Sequence, residues 1–355
     1  MDFSTTTDAQ IPTDNVALSW WPRSTTEFGE VVIQITLWCL CICTILGNVL
    51  VIIVFIRDRR LRAKIANLYI LNLSIADLLV GFISLLVYNV YRHTGTWRFG
   101  EAACKFWLIM DFGVCSVSIW AIVLISYDRF MLITTGLEYD KLQTYQKFVI
   151  FAGLSWIFSI SQYVFTLVGY DIFVKSSIDY TVDCDSDFLY KAAFVIYDVV
   201  IVFFIPVAMI IYFNIKLFLE IKRRSRGMPR NTASIEPTSS TGSSTAQMAD
   251  EASTSHAPQR QGTTDIKKHR RAGIILALIV RVSSLCWLPC YTLTILSILG
   301  IHFSPRASVI SFYIFYSNSA INPLLYVATN PRIREGIVKL IKVPYTIVAQ
   351  LTQNI

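Results

Sequence analysis

Long stretches of this chain carry no charge at all, and that constrains its fold more than any motif does. Val31 to Ile56 contains no charged residue, and neither does Phe148 to Tyr170. A run of about 18 or more apolar residues is long enough to cross the hydrocarbon core of a bilayer as a helix. The same run in water would expose a contiguous apolar surface far larger than soluble proteins tolerate. Composition agrees, with 54% of the 355 residues hydrophobic and only 15% charged, against about 45–50% and about 25% in soluble domains. The expected fold class is an all-α membrane protein.

The apolar runs predict helices at 31–56, 66–92, 101–134, 147–170, 189–222, 266–300 and 307–328. These make a seven-transmembrane helix bundle, and an odd number of crossings puts the termini on opposite sides. A short amphipathic eighth helix is expected from 330 to 342, where Arg332, Arg334 and Lys339 alternate with Ile333, Ile337 and Leu340. That pattern suits a helix lying on the inner leaflet. The chain then divides into an extracellular tail (1–30), helices one to five (31–224), a third intracellular loop (225–264), helices six and seven (265–328) and a cytoplasmic helix with tail (329–355). The loop is rich in Ser, Thr, Ala, Gly and Pro and is expected to be disordered, since it has too little apolar surface to fold.

Orientation follows from the positive charge. Arg57, Arg59, Arg60, Arg62 and Lys64 follow the first run; Lys222, Arg223, Arg224 and Arg226 follow the fifth; Lys267, Lys268, Arg270 and Arg271 precede the sixth. Basic clusters on alternate loops mark the cytoplasmic side. One opposite loop carries Asp171, Asp179, Asp183, Asp185 and Asp187. The N-terminus is therefore expected outside and the C-terminus inside. With apolar spans beside them, the basic clusters do not indicate nucleic acid. The first thirty residues lack the basic start and apolar core of a cleavable signal peptide, so the first helix is expected to direct insertion.

Of eight cysteines, Cys39, Cys41, Cys43, Cys115, Cys286 and Cys290 fall inside predicted helices, where a thiol is usually a small apolar side chain. Cys104 and Cys184 lie on the oxidising side and are expected to pair. Ionisable residues within a span are functional candidates. Asp111 and Arg129 are eighteen positions apart on the third helix, five full turns, so they share a face roughly 27 Å apart. The acid sits near the outside and the base, beside Asp128, at the inner mouth. Cys115 and Ser118 continue the stripe at i+4 and i+7. Asp77 lies mid-membrane. With Ser118, Asn318, Ser319 and Asn322 it offers oxygen ligands suited to a sodium ion, or else it is a protonated acid in a wet network. Pro206, Pro289 and Pro323 fall inside helices and are expected to kink them.

Read in order, these residues resemble the rhodopsin-like G-protein-coupled receptors. Landmarks of that family recur in every span: Gly47-Asn48, Leu73-Ser74-Ile75-Ala76-Asp77, Cys104, Asp128-Arg129-Phe130, Trp156, Pro206, Cys286-Trp287-Leu288-Pro289 and Asn322-Pro323-Leu324-Leu325-Tyr326, with Trp97-Arg98-Phe99-Gly100 in an outer loop. The resemblance covers about residues 30 to 342 outside the third inner loop. It implies a receptor, not an enzyme, in the plasma membrane, which binds a ligand outside and activates a heterotrimeric G protein inside. Arrestin and receptor kinases would be further inner partners, and a sodium ion an allosteric one. Asp128, Arg129, Asn322, Pro323 and Tyr326 would form the coupling switch.

Trp107 to Asp111 with Val123 to Arg129, and Tyr212-Phe213-Asn214, look like the biogenic-amine branch, nearest histamine and muscarinic receptors. The acid matching Asp111 would then pair with the ligand ammonium, and Tyr316 would hydrogen-bond it. Phe112, Cys115, Trp287, Cys290, Tyr291 and Phe312 would complete the pocket. Asp198, eight residues before Pro206, would face Asp111 across it. Two acids suit a ligand with two positive or proton-donating ends, such as histamine; an Asp bonded to neighbouring hydroxyls is the alternative. Acetylcholine, a muscarinic ligand, fits less well because Cys290 stands where an aromatic cage wall is usual. Peptide and lipid ligands remain open. An opsin is excluded because Tyr316 replaces the Schiff-base lysine.

Some positions depart from the family. Phe130 replaces a tyrosine. Ser283 stands where an aromatic is expected. His269 stands where a glutamate would latch Arg129, which predicts raised basal activity. Arg281 interrupts the sixth helix and either reaches the inner headgroups or pairs with an internal acid. No internal symmetry suggests a transporter, and no nucleophile–base pair suggests an enzyme.

Overall fold

A computed structural model describes residues 27–173, 178–185, 191–226, 280–301 and 303–353. Among them there is no strand. Helix α1 is Glu27–Arg57. Helix α2 joins Ile65–Leu79 and Leu86–Thr94 through a π-helical Val80–Leu85. Helix α3 is Gly100–Thr135 and α4 is Tyr145–Phe173. Helix α5 joins Ala192–Asp198 and Ile205–Arg226 through a second π-helical segment, Val199–Phe204. Helix α6 covers residues 280–298, α7 is Pro305–Thr329 and α8 is Pro331–Gln353. Short turns Arg59–Arg62 and Tyr139–Leu142 fill the first two inner loops.

Local chemistry sets the ends. The α2 helix stops at Gly95, whose φ of 74° is the left-handed cap that glycine adopts without strain. Ser304 caps α7 by accepting from the Ala307 amide, with Pro305 at the first helical position. Between α7 and α8, Asn330 accepts from the Arg332 and Ile333 amides, so the chain turns and restarts.

Helix α3 is the central post. It packs against α2, α4 and α5, while α1 closes the ring against α2 and α7. Polarity is inverted relative to a soluble protein. Ile35, Leu46, Ile157, Phe165, Phe218 and Leu285 are exposed, whereas Asn48, Ser74, Asp77, Asp111, Asn318 and Asn322 are buried. Water would reverse that distribution and lipid demands it. Among the described residues, five helices are long and apolar enough to cross a membrane: Gly29–Arg57, Ile65–Thr94, Gly100–Leu142, Tyr145–Tyr170 and Ala192–Arg224. Helix α7 is less apolar because Ser311, Ser317, Asn318, Ser319 and Asn322 face its neighbours.

Several details differ from expectation. The π-helical segments in α2 and α5 leave no pattern in hydrophobic periodicity. The α5 helix begins at Ala192 rather than 189. The eighth helix continues through Pro344 to Gln353 instead of stopping near 342. Residues 27–30, expected in the tail, are already helical. His269, the part of the expected third inner loop from 227 onward and residues 266–279 of the expected sixth helix lie outside the described residues.

Candidate functional site

Asp111 lies in the upper half of α3, seven residues inward of the disulfide-bonded Cys104. Its side chain is buried, and Tyr316 on α7 donates to both of its oxygens, at 3.0 and 3.2 Å. A carboxylate in that setting is expensive to hold without a cation. Beside it opens a cavity of about 800 Å³, counting the part open to solvent. From α3 the cavity takes Asp111, Phe112, Cys115 and Ser116; from α4, Tyr163. From α5 come Phe194, Val195, Asp198 and Val202; α6 gives Cys290, Tyr291 and Thr294; α7 gives Phe312, Phe315 and Tyr316.

The cavity therefore has an acid on α3 and another on α5. Tyr163 donates to Asp198 Oδ1 at 2.6 Å. Asp198 therefore lines the cavity and also has a hydroxyl partner. Seven of the other lining residues are aromatic: Phe112, Tyr163, Phe194, Tyr291, Phe312, Phe315 and Tyr316. Phe112 stacks on Tyr163 at 5.4 Å, Tyr291 stacks on Phe203 at 4.3 Å, and Phe315 meets Tyr316 edge-on at 5.4 Å. Such a site suits an organic cation with an apolar body.

Trp287 is not among the residues that line the cavity; it is 2% exposed, packed in the core with Cys286, Phe203 and Ile119 one helical turn inward of the lining Tyr291. Tyr163, Ser116, Phe194, Val195, Val202, Thr294 and Phe315 line the cavity without having been singled out from sequence. An isolated Tyr in an apolar span has no signature that tells cavity from core.

A disulfide joins Cys104 and Cys184 with Cα atoms 5.5 Å apart. It anchors the second outer loop over α3, where the Trp97 amide donates to Val182 O at 2.8 Å and Tyr91 donates to Asp183. In that loop the Thr181 hydroxyl and amide both donate to Asp179 and hold its carboxyl below the usual range.

Deeper in the bundle, Asp77 is fully buried and accepts from Ser118 Oγ at 3.2 Å and Asn322 Nδ2 at 2.8 Å. Asn318 is buried one turn away on α7, and neither its Oδ1 nor that of Asn322 has a hydrogen-bond partner among the described residues. Pro323 presses on Gly47, where an added Cβ would lie 3.0 Å from the ring. Tyr326 is buried nearby.

At the inner end Asp128 is buried, with Tyr139 donating to Oδ1 at 2.6 Å. Arg129 Nε stands 3.8 Å from Asp128 Oδ2, and its Nη2 donates to Ala66 O at 3.2 Å. Tyr139 was not foreseen; it sits in the second inner loop, where sequence offers no pairing rule. Ser283 is buried, and its hydroxyl has no hydrogen-bond partner among the described residues. Arg281 is exposed on α6 and pairs with no acid among the described residues.

Residues 47–326 match the family model described as 7 transmembrane receptor (rhodopsin family). The chain is 26% identical to the 5-hydroxytryptamine receptor 1B of Equus caballus, across 95% of this chain and 90% of that receptor. It is 26% identical to the Histamine H4 receptor of Mus musculus, across 83% and 88%. With the human 5-hydroxytryptamine receptor 1B (Homo sapiens) the figures are 25%, 93% and 88%.

Proposed function

The chain belongs to the 7 transmembrane receptor (rhodopsin family), and from that membership we propose that it is a plasma-membrane receptor which binds a biogenic amine and activates a heterotrimeric G protein. The observation that carries the amine reading is Asp111: a buried carboxylate on the cavity wall, with a tyrosine as its partner and no cation among the described residues. A ligand ammonium supplies the missing charge, and the aromatic wall takes the ligand's body. The relatives named for serotonin and histamine support the same class.

Among amines, a histamine-like ligand is favoured by Asp198, which offers a second acid to a second proton-donating end. Serotonin is the second reading, supported by the serotonin-receptor relatives and by a hydroxyl that can donate to the same acid. The positive clusters after α1 and α5 support a cytoplasmic C-terminus. There Arg129, held by Ala66 and Asp128, is the group a G protein would meet once α6 moves outward. Arrestin and receptor kinases would use the same face. The lipid bilayer covers the exposed apolar ring, and Arg281 reaches for the inner headgroups.

A sodium ion is the further ligand this reading includes. Asp77, Ser118, Asn318 and Asn322 would hold it, and the two orphaned amide oxygens fit a hard cation that binds oxygen. Bound there, it would tie α2, α3 and α7 together.

The experiment is a screen of histamine, serotonin, other monoamines and acetylcholine for G-protein activation, repeated with Asp111→Asn. The expected result is activation by at least one amine and a loss of over 100-fold in potency, since breaking a buried ion pair costs about 3–5 kcal/mol. An unchanged response in the variant refutes the ion pair.

A further inference from the structure

Two acids face one cavity, and each takes a hydrogen bond from a tyrosine on another helix. Asp111 on α3 is held by Tyr316 on α7, and Asp198 on α5 is held by Tyr163 on α4. Tyr163 is only 5% exposed, yet it lines the cavity. Its ring is set by stacking on Phe112 at 5.4 Å with an interplanar angle of 25°. The hydroxyl is therefore placed by packing, and Asp198 is placed by the hydroxyl.

The direction of that bond follows from the groups. A carboxylate only accepts, so the phenol donates and keeps its own lone pairs as acceptors. Asp198 Oδ2 takes no hydrogen bond from any described residue. The α3–α4 wall has one other hydroxyl on the cavity, Ser116, but it is engaged: Gln162 Nε2 donates to it at 3.1 Å and Ser159 lies at 3.1 Å. What is left for a ligand on this side is a pair of acceptors, Asp198 Oδ2 and the Tyr163 oxygen, held in one orientation before the ligand arrives. Groups ordered in advance cost less to order on binding.

We propose that Tyr163 is the positioning residue that sets ligand choice at this end of the cavity: with Asp198 it forms a two-acceptor seat for a hydrogen-bond donor on the ligand's far end. This rests on the reading above, in which Asp111 receives the ammonium. The seat selects amines whose other end carries an N–H or O–H group and gives nothing to amines that end in bare hydrocarbon. A site built to bond a donor discriminates strongly against an analogue lacking it, because its own polar groups are left unpaired.

The test compares histamine, which has a donor at its far end, with β-phenylethylamine, which has none. Dose–response curves are taken on the full receptor and on Tyr163→Phe, Tyr316→Phe, Asp198→Asn and the Tyr163→Phe/Asp198→Asn pair. Tyr163→Phe keeps the stacked ring and removes only the hydroxyl. It should lower histamine potency about tenfold, the size of one hydrogen bond involving a charged group, and leave β-phenylethylamine unchanged. Tyr316→Phe should weaken both amines alike, because the ammonium is common to them. In the Asp198→Asn background, Tyr163→Phe should add less than about twofold, since the two residues act as one unit. Thermal shift of the purified variants with each amine reads binding even where surface expression falls. Equal losses for both amines at Tyr163→Phe, or full additivity with Asp198→Asn, overturn the proposal and leave the amine reading standing. If Asp111→Asn changes neither amine, or the unmodified receptor neither responds to nor is stabilised by these or any other amine of the screen, both fall together.

Discussion

At the level of single residues, the molecule is organised by acids placed where a bilayer protein can least spare them. Asp111, Asp77 and Asp128 lie along one helix bundle at three depths, and each has a named hydroxyl or amide donor. The most exacting case is Asp128. It is buried; its sole hydrogen-bond donor among the described residues is Tyr139, and Arg129 stands off at 3.8 Å. Tyr139→Phe removes that donor and leaves a buried carboxylate short of a partner, at a cost of about 1–3 kcal/mol. The expected outcome is a lower thermal midpoint for the purified receptor, with ligand affinity at the distant cavity unchanged. A midpoint equal to that of the unmodified protein would show that the bond is not formed.

At the level of elements, close approach rather than hydrophobicity sets how the helices fit. In α8, Gly336 faces Val54 of α1, and a Cβ there would lie 2.5 Å from Val54 Cγ1. Val54 is buried and β-branched, so it has little freedom to move aside. Gly336→Ala should lift α8 from α1 and cost about 1–3 kcal/mol of docking energy. Hydrogen exchange in Ile333 to Leu340 should rise, and Val54→Ala in the same chain should restore protection. If the single variant exchanges like the parent, the contact carries no energy. The π-helical segment Val199–Phe204 matters in another way. It lies directly between Asp198 and Pro206, so it rotates the outer end of α5 relative to the rest and helps decide which way Asp198 faces.

At the level of the whole molecule, the outer loop and the topology carry the tests. The Cys104–Cys184 bond closes a chain separation of 80 residues and pins the loop to the outer end of α3. Cys184→Ser should destabilise the receptor by roughly 2–4 kcal/mol and lower surface expression, with Cys104→Ser equivalent and the double variant no worse than either. An additive double variant would mean the cysteines act separately. The orientation read from the basic loops predicts that an epitope at the N-terminus is labelled on intact cells and one at the C-terminus only after permeabilisation. The opposite pattern would reverse the assignment of inner and outer faces.

Much of this architecture was readable from the amino-acid order, for a reason specific to membranes. A span must satisfy its own backbone and offer apolar side chains to lipid, so length without charge already implies a helix and a crossing. Intramembrane acids are rare enough to mark a site by type alone, which is how Asp111, Asp198 and Asp77 could be picked out. Pairing is another matter. Tyr163 reaching Asp198, Tyr139 reaching Asp128 and Trp287 withdrawn beneath the cavity depend on helix rotation, on the π-helical segments of α2 and α5, and on approaches such as Gly336 to Val54. Those are properties of how helices pack, and periodicity within one helix holds no record of its neighbour.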